Sequence, residues 1–121
     1  MSLILVADDS VMARKSLQSL LEERGYSVSI AGNGCEGLEV LEGDPDIQLV
    51  VSDVHMPNMD GIEFVEAIAE RMGSRALKIV MLTTEHSTIL EGRGKELGVV
   101  GWMVKPLNPN FPDLIEHILE P

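Results

Sequence analysis

The sequence predicts an α/β fold in which a single parallel β-sheet carries α-helices on both faces. Five short runs of apolar residues recur along the chain, several of them apolar at consecutive positions, as in strands buried on both sides. The segments between these runs show helical periodicity. Because each parallel crossover needs a helix, this alternation predicts a doubly wound five-stranded sheet within one domain spanning residues 1–121. The predicted strands are Leu3–Ala7, Tyr26–Ile30, Ile47–Ser52, Leu77–Leu82 and Val99–Val104.

Capping residues mark the predicted helix boundaries. Ser10 and Asp60 are candidate N-caps, and Gly25 is an expected left-handed residue at the end of the first helix. Pro112 suits the first turn of the last helix. Apolar side chains then recur at helical spacing: Ala13, Leu17, Leu20 and Leu21 in the first helix, Val65, Ile68, Ala69 and Met72 in the third, and Phe111, Leu114, Ile115 and Ile118 in the last.

The segment 87–98 is predicted to be a weak fourth helix. It contains Gly92 and Gly94, and an interior glycine costs about 0.8–1.0 kcal/mol relative to alanine in a helix. We therefore expect this helix to be labile.

Composition excludes several classes of function. The 20 acidic and 9 basic residues give a net charge of −11, which repels nucleic acid and anionic membrane surfaces. Cys35 is the single cysteine, so no internal disulfide forms, and we expect a small, semi-buried side chain in a reducing cytoplasm. The apolar N-terminus is too short for a signal peptide or membrane span. His86 and His117 are expected at the surface.

Polar residues follow four of the five predicted strands. In open α/β sheets, ligands bind outside the carboxyl ends of the strands, where the strand order reverses. The sequence therefore predicts a functional site at this edge of the sheet. Its candidate residues are Asp8 and Asp9 after the first strand, Asp53 after the third, Thr83 and Thr84 after the fourth, and Lys105 after the fifth.

Three carboxylates at one edge predict a divalent cation. Their mutual repulsion is unfavourable unless a cation neutralises it, and the absence of a nearby His or Cys cluster in the sequence favours all-oxygen ligation by Mg²⁺ or Mn²⁺. Any one of these aspartates alone would fit a helix cap or a solvated loop charge equally well. A metal ion, an ammonium group and a hydroxyl group that converge on a carboxylate form an arrangement suited to phosphoryl transfer. Asp53 is the preferred nucleophile, because it enters a loop constrained by Pro57 and Gly61.

Taken in order along the whole chain, these residues resemble the receiver domains of bacterial two-component response regulators. The resemblance rests on Asp8-Asp9-Ser10, Asp53, Met56-Pro57, Asp60-Gly61, Thr83 and Lys105-Pro106. It implies the flavodoxin-like, CheY-like strand order 2-1-3-4-5, with Asp53 as phosphoacceptor and Lys105 in contact with the phosphoryl oxygens. It also implies a Mg²⁺ site formed by Asp9, Asp53 and the backbone carbonyl of His55, with Asp8 acting through water.

The resemblance further implies a conformational switch. The hydroxyl of Thr83 would bond the phosphoryl group, and the aromatic residue three positions before the lysine, here Trp102, would turn inward and alter the surface formed by the fourth helix, fifth strand and fifth helix. The family more often carries Tyr or Phe there, so complete rotation of the larger indole is an open question. By the same resemblance, His55 and Glu85 occupy positions that flank the entry path of the hydrolytic water in the family, and the Lys105-Pro106 peptide is expected to be cis.

Segments 80–85 and 101–106 most resemble the stand-alone chemotaxis type of receiver. That type implies a chemotaxis histidine kinase as phosphodonor, a flagellar motor switch protein as target, and a monomer. A stand-alone phosphorelay receiver and a receiver cut from a larger regulator remain alternatives.

A flavodoxin-like cofactor binder would need a phosphate-binding loop where Asp8-Asp9 stand. A haloacid-dehalogenase-like phosphatase would need a second aspartate where His55 stands, so we expect no turnover of external phosphate esters. A receiver fold used only for protein contacts would not need the acidic site.

Overall fold

A computed structural model of the chain describes residues 3–84 and 87–120. In these ranges strands and helices alternate, as the sequence predicts, and the strand boundaries differ from the prediction by at most two residues. The elements are β1 (Leu3–Ala7), α1 (Val11–Glu22), β2 (Ser27–Ala31), α2 (Gly34–Gly43), β3 (Ile47–Asp53), α3 (Gly61–Met72), β4 (Lys78–Thr83), α4 (Thr88–Glu96), β5 (Gly101–Val104) and α5 (Phe111–Leu119).

The strands form one parallel sheet in the order β2-β1-β3-β4-β5. This confirms the predicted topology. The strand order reverses direction between β1 and β3, which are neighbours in the sheet, and Ala7 is paired with Ser52. The carboxyl ends of β1 and β3 therefore lie side by side, and the residues that follow them come together.

The sheet has a hydrophobic core on each face. Alternate side chains of β1 point to opposite faces, so Leu5 and Ala7 belong to one core and Ile4 and Val6 to the other. The first core is covered by α2, α3 and α4, and the second by α1 and α5. This three-layer arrangement leaves the strand ends open at the edges of the sheet.

The predicted caps are present. The Ser10 side chain accepts a hydrogen bond from the Ala13 N–H, and Asp60 forms a reciprocal capping box with Glu63. Gly25 has φ +90°, and the bonds around it, from Gly25 N–H to the Glu22 carbonyl and from Tyr26 N–H to the Leu21 carbonyl, form a Schellman motif. Pro112 lies in the first turn of α5.

The expectation for Cys35 is wrong, because its side chain is exposed. Gly34, Gly37 and Leu38 form the buried face of α2, and Cys35, one position after Gly34, is rotated by about 100° from it on the helix. His117 is exposed, as predicted, whereas His86 lies outside the described residues. Among the described residues, every helix is too short or too polar to span a bilayer.

Candidate functional site

The topology gathers the predicted site residues at one edge of the sheet. Asp8 and Asp9 follow β1, Asp53 is the last residue of β3, Thr83 is the last residue of β4, and Lys105 follows β5. Since these four strands are consecutive neighbours in the sheet, the side chains succeed one another across its carboxyl edge. In the sequence these residues are up to 97 positions apart.

Three carboxylates form the centre of the site. Asp8, Asp9 and Asp53 each offer an oxygen, and these oxygens all lie within 4.8 Å of one another. Their environments differ: Asp8 is 1% exposed, Asp53 is half-buried and Asp9 is exposed. The site is therefore anchored in the protein on one side and open to solvent on the other.

Both carboxylate oxygens of Asp8 are held by hydrogen bonds. The Ser10 N–H donates to Oδ1 at 2.9 Å, and Lys105 Nζ donates to Oδ2 at 2.8 Å. A buried carboxylate needs such partners, because its charge is otherwise poorly solvated. Asp8 is accordingly a fixed element of the site.

Asp53 is held on one side by backbone amides. Its Oδ1 accepts hydrogen bonds from the N–H groups of Val54 at 2.7 Å and His55 at 3.4 Å, while its Oδ2 lies 3.6 Å from Lys105 Nζ. Burial raises the pKa of Asp53, the Lys105 ammonium lowers it and the Asp8 charge raises it, and the net shift is upward. This carboxyl is thus less readily ionised than an ordinary aspartate.

Lys105 bridges two of the carboxylates. Burial lowers the pKa of its ammonium, but the hydrogen bond to Asp8 and the charges of Asp53 and Asp8 outweigh burial and leave the pKa above its usual value. Lys105 is therefore charged at neutral pH. The peptide bond that follows it, to Pro106, is cis, as the resemblance implies.

The loop after Asp53 turns sharply and returns to the site. The Gly61 N–H donates to the Val54 carbonyl at 2.7 Å, and a Cβ at Gly61 would overlap the Asp53 carbonyl oxygen and lie 2.8 Å from the Val54 Cα. Only glycine fits this close approach of backbone to backbone. Asn58 adopts φ 67°, the left-handed conformation that asparagine tolerates.

The predicted switch residues share one face of the sheet. Trp102 is paired with Met81 and Val104 with Thr83, so Trp102 and Thr83 point to the side covered by α2, α3 and α4. Thr83 is fully buried. Trp102 is half-buried and packs against the core on that side, with its ring edge against Gly94 of α4.

Comparison with known proteins identifies the family. The family model described as the response regulator receiver domain matches residues 4–118. The chain belongs to this family. A receiver domain therefore accounts for the sheet order, the acidic cluster and the strand-end lysine.

Solved and curated relatives of this receiver domain include both chemotaxis proteins and other regulators. Chemotaxis protein CheY4 of Vibrio cholerae has 37% sequence identity and a TM-score of 0.84, over 98% of this chain and 96% of its own. The probable chemotaxis protein CheY of Rhizobium etli is 32% identical over 85% of this chain and 80% of its own. The transcriptional regulatory protein PdtaR of Mycobacterium tuberculosis is 38% identical over 95% of this chain, which spans 54% of that protein.

The receiver family binds Mg²⁺ at an acidic pocket, and the donor set of this chain fits such an ion. Three carboxylate oxygens within 4.8 Å of one another form a hard, all-oxygen group, which Mg²⁺ prefers. The carbonyl of His55, predicted as a further ligand, belongs to the residue whose amide already contacts Asp53. Glu85, the other predicted residue beside the hydrolytic water, lies outside the described residues.

One contact beside these residues is not predicted from the sequence. Arg14 Nη1 donates a hydrogen bond of 2.8 Å to the backbone carbonyl of Asp8. Its position on α1, six residues after Asp8, gives no signal by itself, because a long side chain on the first turn can equally well extend into solvent. Only the structure of the β1–α1 turn shows that the Arg14 guanidinium reaches the Asp8 carbonyl.

Proposed function

We propose that this receiver accepts a phosphoryl group on Asp53 from a histidine kinase and uses the acyl phosphate as a conformational signal. The observation that carries the proposal is the position of Lys105, whose Nζ lies 2.8 Å from Asp8 Oδ2 and 3.6 Å from Asp53 Oδ2. A fixed ammonium beside the candidate nucleophile is suited to neutralising the oxygens of an incoming phosphoryl group.

In this proposal, Asp9, Asp53 and the backbone carbonyl of His55 hold a Mg²⁺ ion, or Mn²⁺, with Asp8 acting through water. The ion supplies neutralisation of the carboxylates and of the phosphoryl oxygens when it is bound. Asp9 is exposed, so the site is accessible from solvent and from a phosphodonor. The buried Asp8 keeps the arrangement in place.

The chain's own groups perform the transfer. An Asp53 carboxylate oxygen attacks the phosphorus, the phosphorus–nitrogen bond of a phosphohistidine breaks, and the electron pair leaves with the imidazole nitrogen. The two amides that bond Asp53 Oδ1 orient the carboxylate so that Oδ2 faces Lys105. Lys105 then contacts the transferred oxygens and the hydroxyl of Thr83 donates to one of them. This is phosphoacceptor chemistry with later self-hydrolysis, and not turnover of external substrates.

The output surface is formed by α4, β5 and α5. It exposes large apolar side chains along these elements and the turn between α4 and β5, which favours a protein partner over nucleic acid. In the proposed switch, Thr83 engages the phosphoryl group and Trp102 moves toward the vacated space, so that this surface repacks. The exposed residues are Ile89 (83%), Val100 (54%), Leu114 (43%) and Val104 (36%).

The pathway we propose is chemotaxis, with a chemotaxis histidine kinase as donor and a flagellar motor switch protein as target. The similarity to two proteins named as chemotaxis CheY supports it. A phosphorelay receiver or a piece of a larger regulator is the second candidate, supported by the similarity to a transcriptional regulator and to a plant two-component response regulator. A single domain that acts as a cytoplasmic monomer remains a prediction.

The site is tested by phosphorylation with acetyl phosphate in the presence of Mg²⁺, followed by intact-mass measurement and Trp102 fluorescence. We expect one added phosphoryl group in the wild type, none in Asp53→Asn, and normal labelling in Asp46→Asn, which removes an exposed aspartate outside the site. Normal labelling of Asp53→Asn would refute the assignment. Hydrolysis of p-nitrophenyl phosphate with repeated turnover would favour the phosphatase class instead.

A further inference from the structure

Arg14 lies on the first turn of α1 and its side chain reaches back over the β1–α1 turn. Nη1 donates a hydrogen bond of 2.8 Å to the Asp8 carbonyl, and the Arg14 backbone N–H donates one of 3.0 Å to the Ser10 carbonyl. The first bond comes from the side chain, whereas the second is the first backbone bond of the helix and does not depend on which side chain stands at this position. The side chain is half-buried, so this position is maintained by packing as well as by the bond.

The other hydrogen bonds of this turn are donated by the backbone amides of Asp8 and Ser10. The Asp8 N–H donates to the Ala31 carbonyl at 3.0 Å, and the Ser10 N–H donates to Asp8 Oδ1 at 2.9 Å. The Asp8 carbonyl accepts from the Arg14 side chain, and the Ser10 carbonyl accepts from the helix backbone. Asp9 is exposed, so packing does not fix its carboxylate, and the position of that carboxylate depends on the backbone on either side.

The space occupied by the guanidinium depends on Gly32, which follows β2. A Cβ at Gly32 would lie 3.0 Å from Arg14 Nη1 and 3.1 Å from Glu36 Oε1, and the Glu36 oxygen is held there because it accepts a 2.9 Å hydrogen bond from the Gly32 N–H. The missing side chain therefore allows the guanidinium to approach the Asp8 carbonyl. The guanidinium thus contacts the Asp8 backbone, and its hydrogen bond is not to a carboxylate of the acidic cluster.

We propose that Arg14 is a positioning residue of the acidic site, which keeps the Asp9 carboxylate beside those of Asp8 and Asp53 in the arrangement that a divalent cation requires. The inference rests on the proposed function. Two effects of Arg14 on the cation have opposite signs: its positive charge repels the ion, while its hydrogen bond preserves the ligand geometry. Removal of Arg14 therefore strengthens Mg²⁺ binding if charge dominates and weakens it if positioning dominates.

Mg²⁺ titration of the wild type, Arg14→Gln, Arg14→Lys and Lys15→Gln, followed by the NMR shifts of backbone amides, distinguishes these effects. Loss of a partner that bonds a ligating group typically weakens metal affinity by 10–100-fold. Because Arg14 bonds the Asp8 backbone and not a ligand oxygen, we expect a loss of up to about tenfold in Arg14→Gln, a smaller loss in Arg14→Lys, and no loss in Lys15→Gln. Lys15 is the adjacent exposed residue and controls for charge. In the metal-free protein, the Ser10 amide should exchange with solvent faster in Arg14→Gln than in wild type.

Gly32→Ala is a second variant in case Arg14→Gln does not fold. It retains Arg14 and crowds Nη1, so we expect a weaker loss of affinity in the same direction. If wild type binds Mg²⁺ and Arg14→Gln binds it equally well or more tightly, the inference is overturned while the proposed function stands. Failure of the wild-type protein to bind Mg²⁺ would overturn the proposed function and the inference with it.

Discussion

The indole of Trp102 packs directly against the backbone of Gly94 in α4. A Cβ added to Gly94 would lie 2.9 Å from Trp102 Cζ3 and 3.1 Å from Cε3, so the ring occupies the space that any side chain at this position would need. Gly94 is buried, whereas a Cβ added to Gly92 in the same helix would meet no atom within 4 Å. The two glycines that weaken α4 therefore have different roles.

The matched substitutions Gly92→Ala and Gly94→Ala separate helix propensity from packing. Each gains about 0.8–1.0 kcal/mol of helix propensity, but only the methyl group added by Gly94→Ala meets the indole, and overpacking typically costs about 1–3 kcal/mol. We expect Gly92→Ala to raise the free energy of unfolding, and we expect the Gly94→Ala value to lie below the Gly92→Ala value by about the overpacking cost. Urea unfolding measures both.

The same pair tests whether α4 and Trp102 are mechanically coupled. The emission maximum of Trp102, the only tryptophan in the chain, should shift in Gly94→Ala and stay unchanged in Gly92→Ala, because only the first displaces the ring. Identical spectra and equal stabilities for the two variants would show that the indole is not confined by the helix.

The sequence was sufficient to predict the sheet and the residues at its edge. Buried parallel strands require apolar runs, and residues such as Asp53 and Lys105 could be placed because they stand where such runs end. The strand order came from the family resemblance, since apolar runs do not say which strands are neighbours. Cap positions such as Ser10 and Asp60 were predictable because a capping bond spans only three residues.

Features set by how the helices pack on the sheet could not be predicted in this way, even between residues close in the sequence. The bond from Arg14 to the Asp8 carbonyl and the contact of Trp102 with Gly94 depend on how helices sit on the sheet. The exposure of Cys35 depends on which face of α2 packs inward. The residue type restricts the position of each of these side chains only weakly, so tertiary packing determines where each side chain lies.

Lys105→Met should destabilise the metal-free protein. Asp8 is 1% exposed and its Oδ2 would lose a charged partner at 2.8 Å, which leaves a buried carboxylate uncompensated. Because the Lys105 side chain is 22% exposed and water can partly replace it, we expect a loss of about 2 kcal/mol rather than the larger cost of breaking a fully buried pair. Thermal unfolding in EDTA measures it, with Lys15→Met as the control.

Added Mg²⁺ should recover part of that stability, because a cation bound at the three carboxylates replaces the missing charge. In Lys105→Met, the increase in unfolding temperature on adding Mg²⁺ should therefore exceed the increase in wild type. An equal increase in both proteins would argue against the neutralising role of Lys105.

Gly61→Ala should disrupt the loop that follows Asp53, the proposed phosphoacceptor. The added Cβ would overlap the Asp53 carbonyl oxygen and crowd the Val54 Cα, and backbone atoms cannot move aside as a flexible side chain can. We expect a loss of about 3 kcal/mol or more, and a change in the amide shifts of Val54 and His55. Gly43→Ala, where a Cβ meets nothing within 4 Å, is the control and should not lower the stability and should leave these shifts close to wild type.

Asp53→Asn should stabilise the metal-free protein at neutral pH. Burial, opposed by Lys105 and reinforced by Asp8, raises the pKa of Asp53 above its ordinary value of about 3.8, so the folded state holds this proton more tightly than the unfolded state does. The stabilising contribution of the protonated group is present below pH 3.8 and is lost as the pH rises through the folded-state pKa. Asparagine is neutral throughout and avoids this loss.

The difference in unfolding free energy between Asp53→Asn and wild type should therefore be small at about pH 3, grow as the pH rises through the folded-state pKa of Asp53, and remain constant above it. Urea unfolding across this range in EDTA measures the curve. Mg²⁺ should reverse the order at neutral pH, because the ion stabilises the wild-type carboxylate cluster more than a cluster that lacks one charge. If wild type were the more stable protein without metal at neutral pH, then the attraction of Asp53 to Lys105 would outweigh its burial, and the ionised carboxylate would already be stabilised before any cation binds.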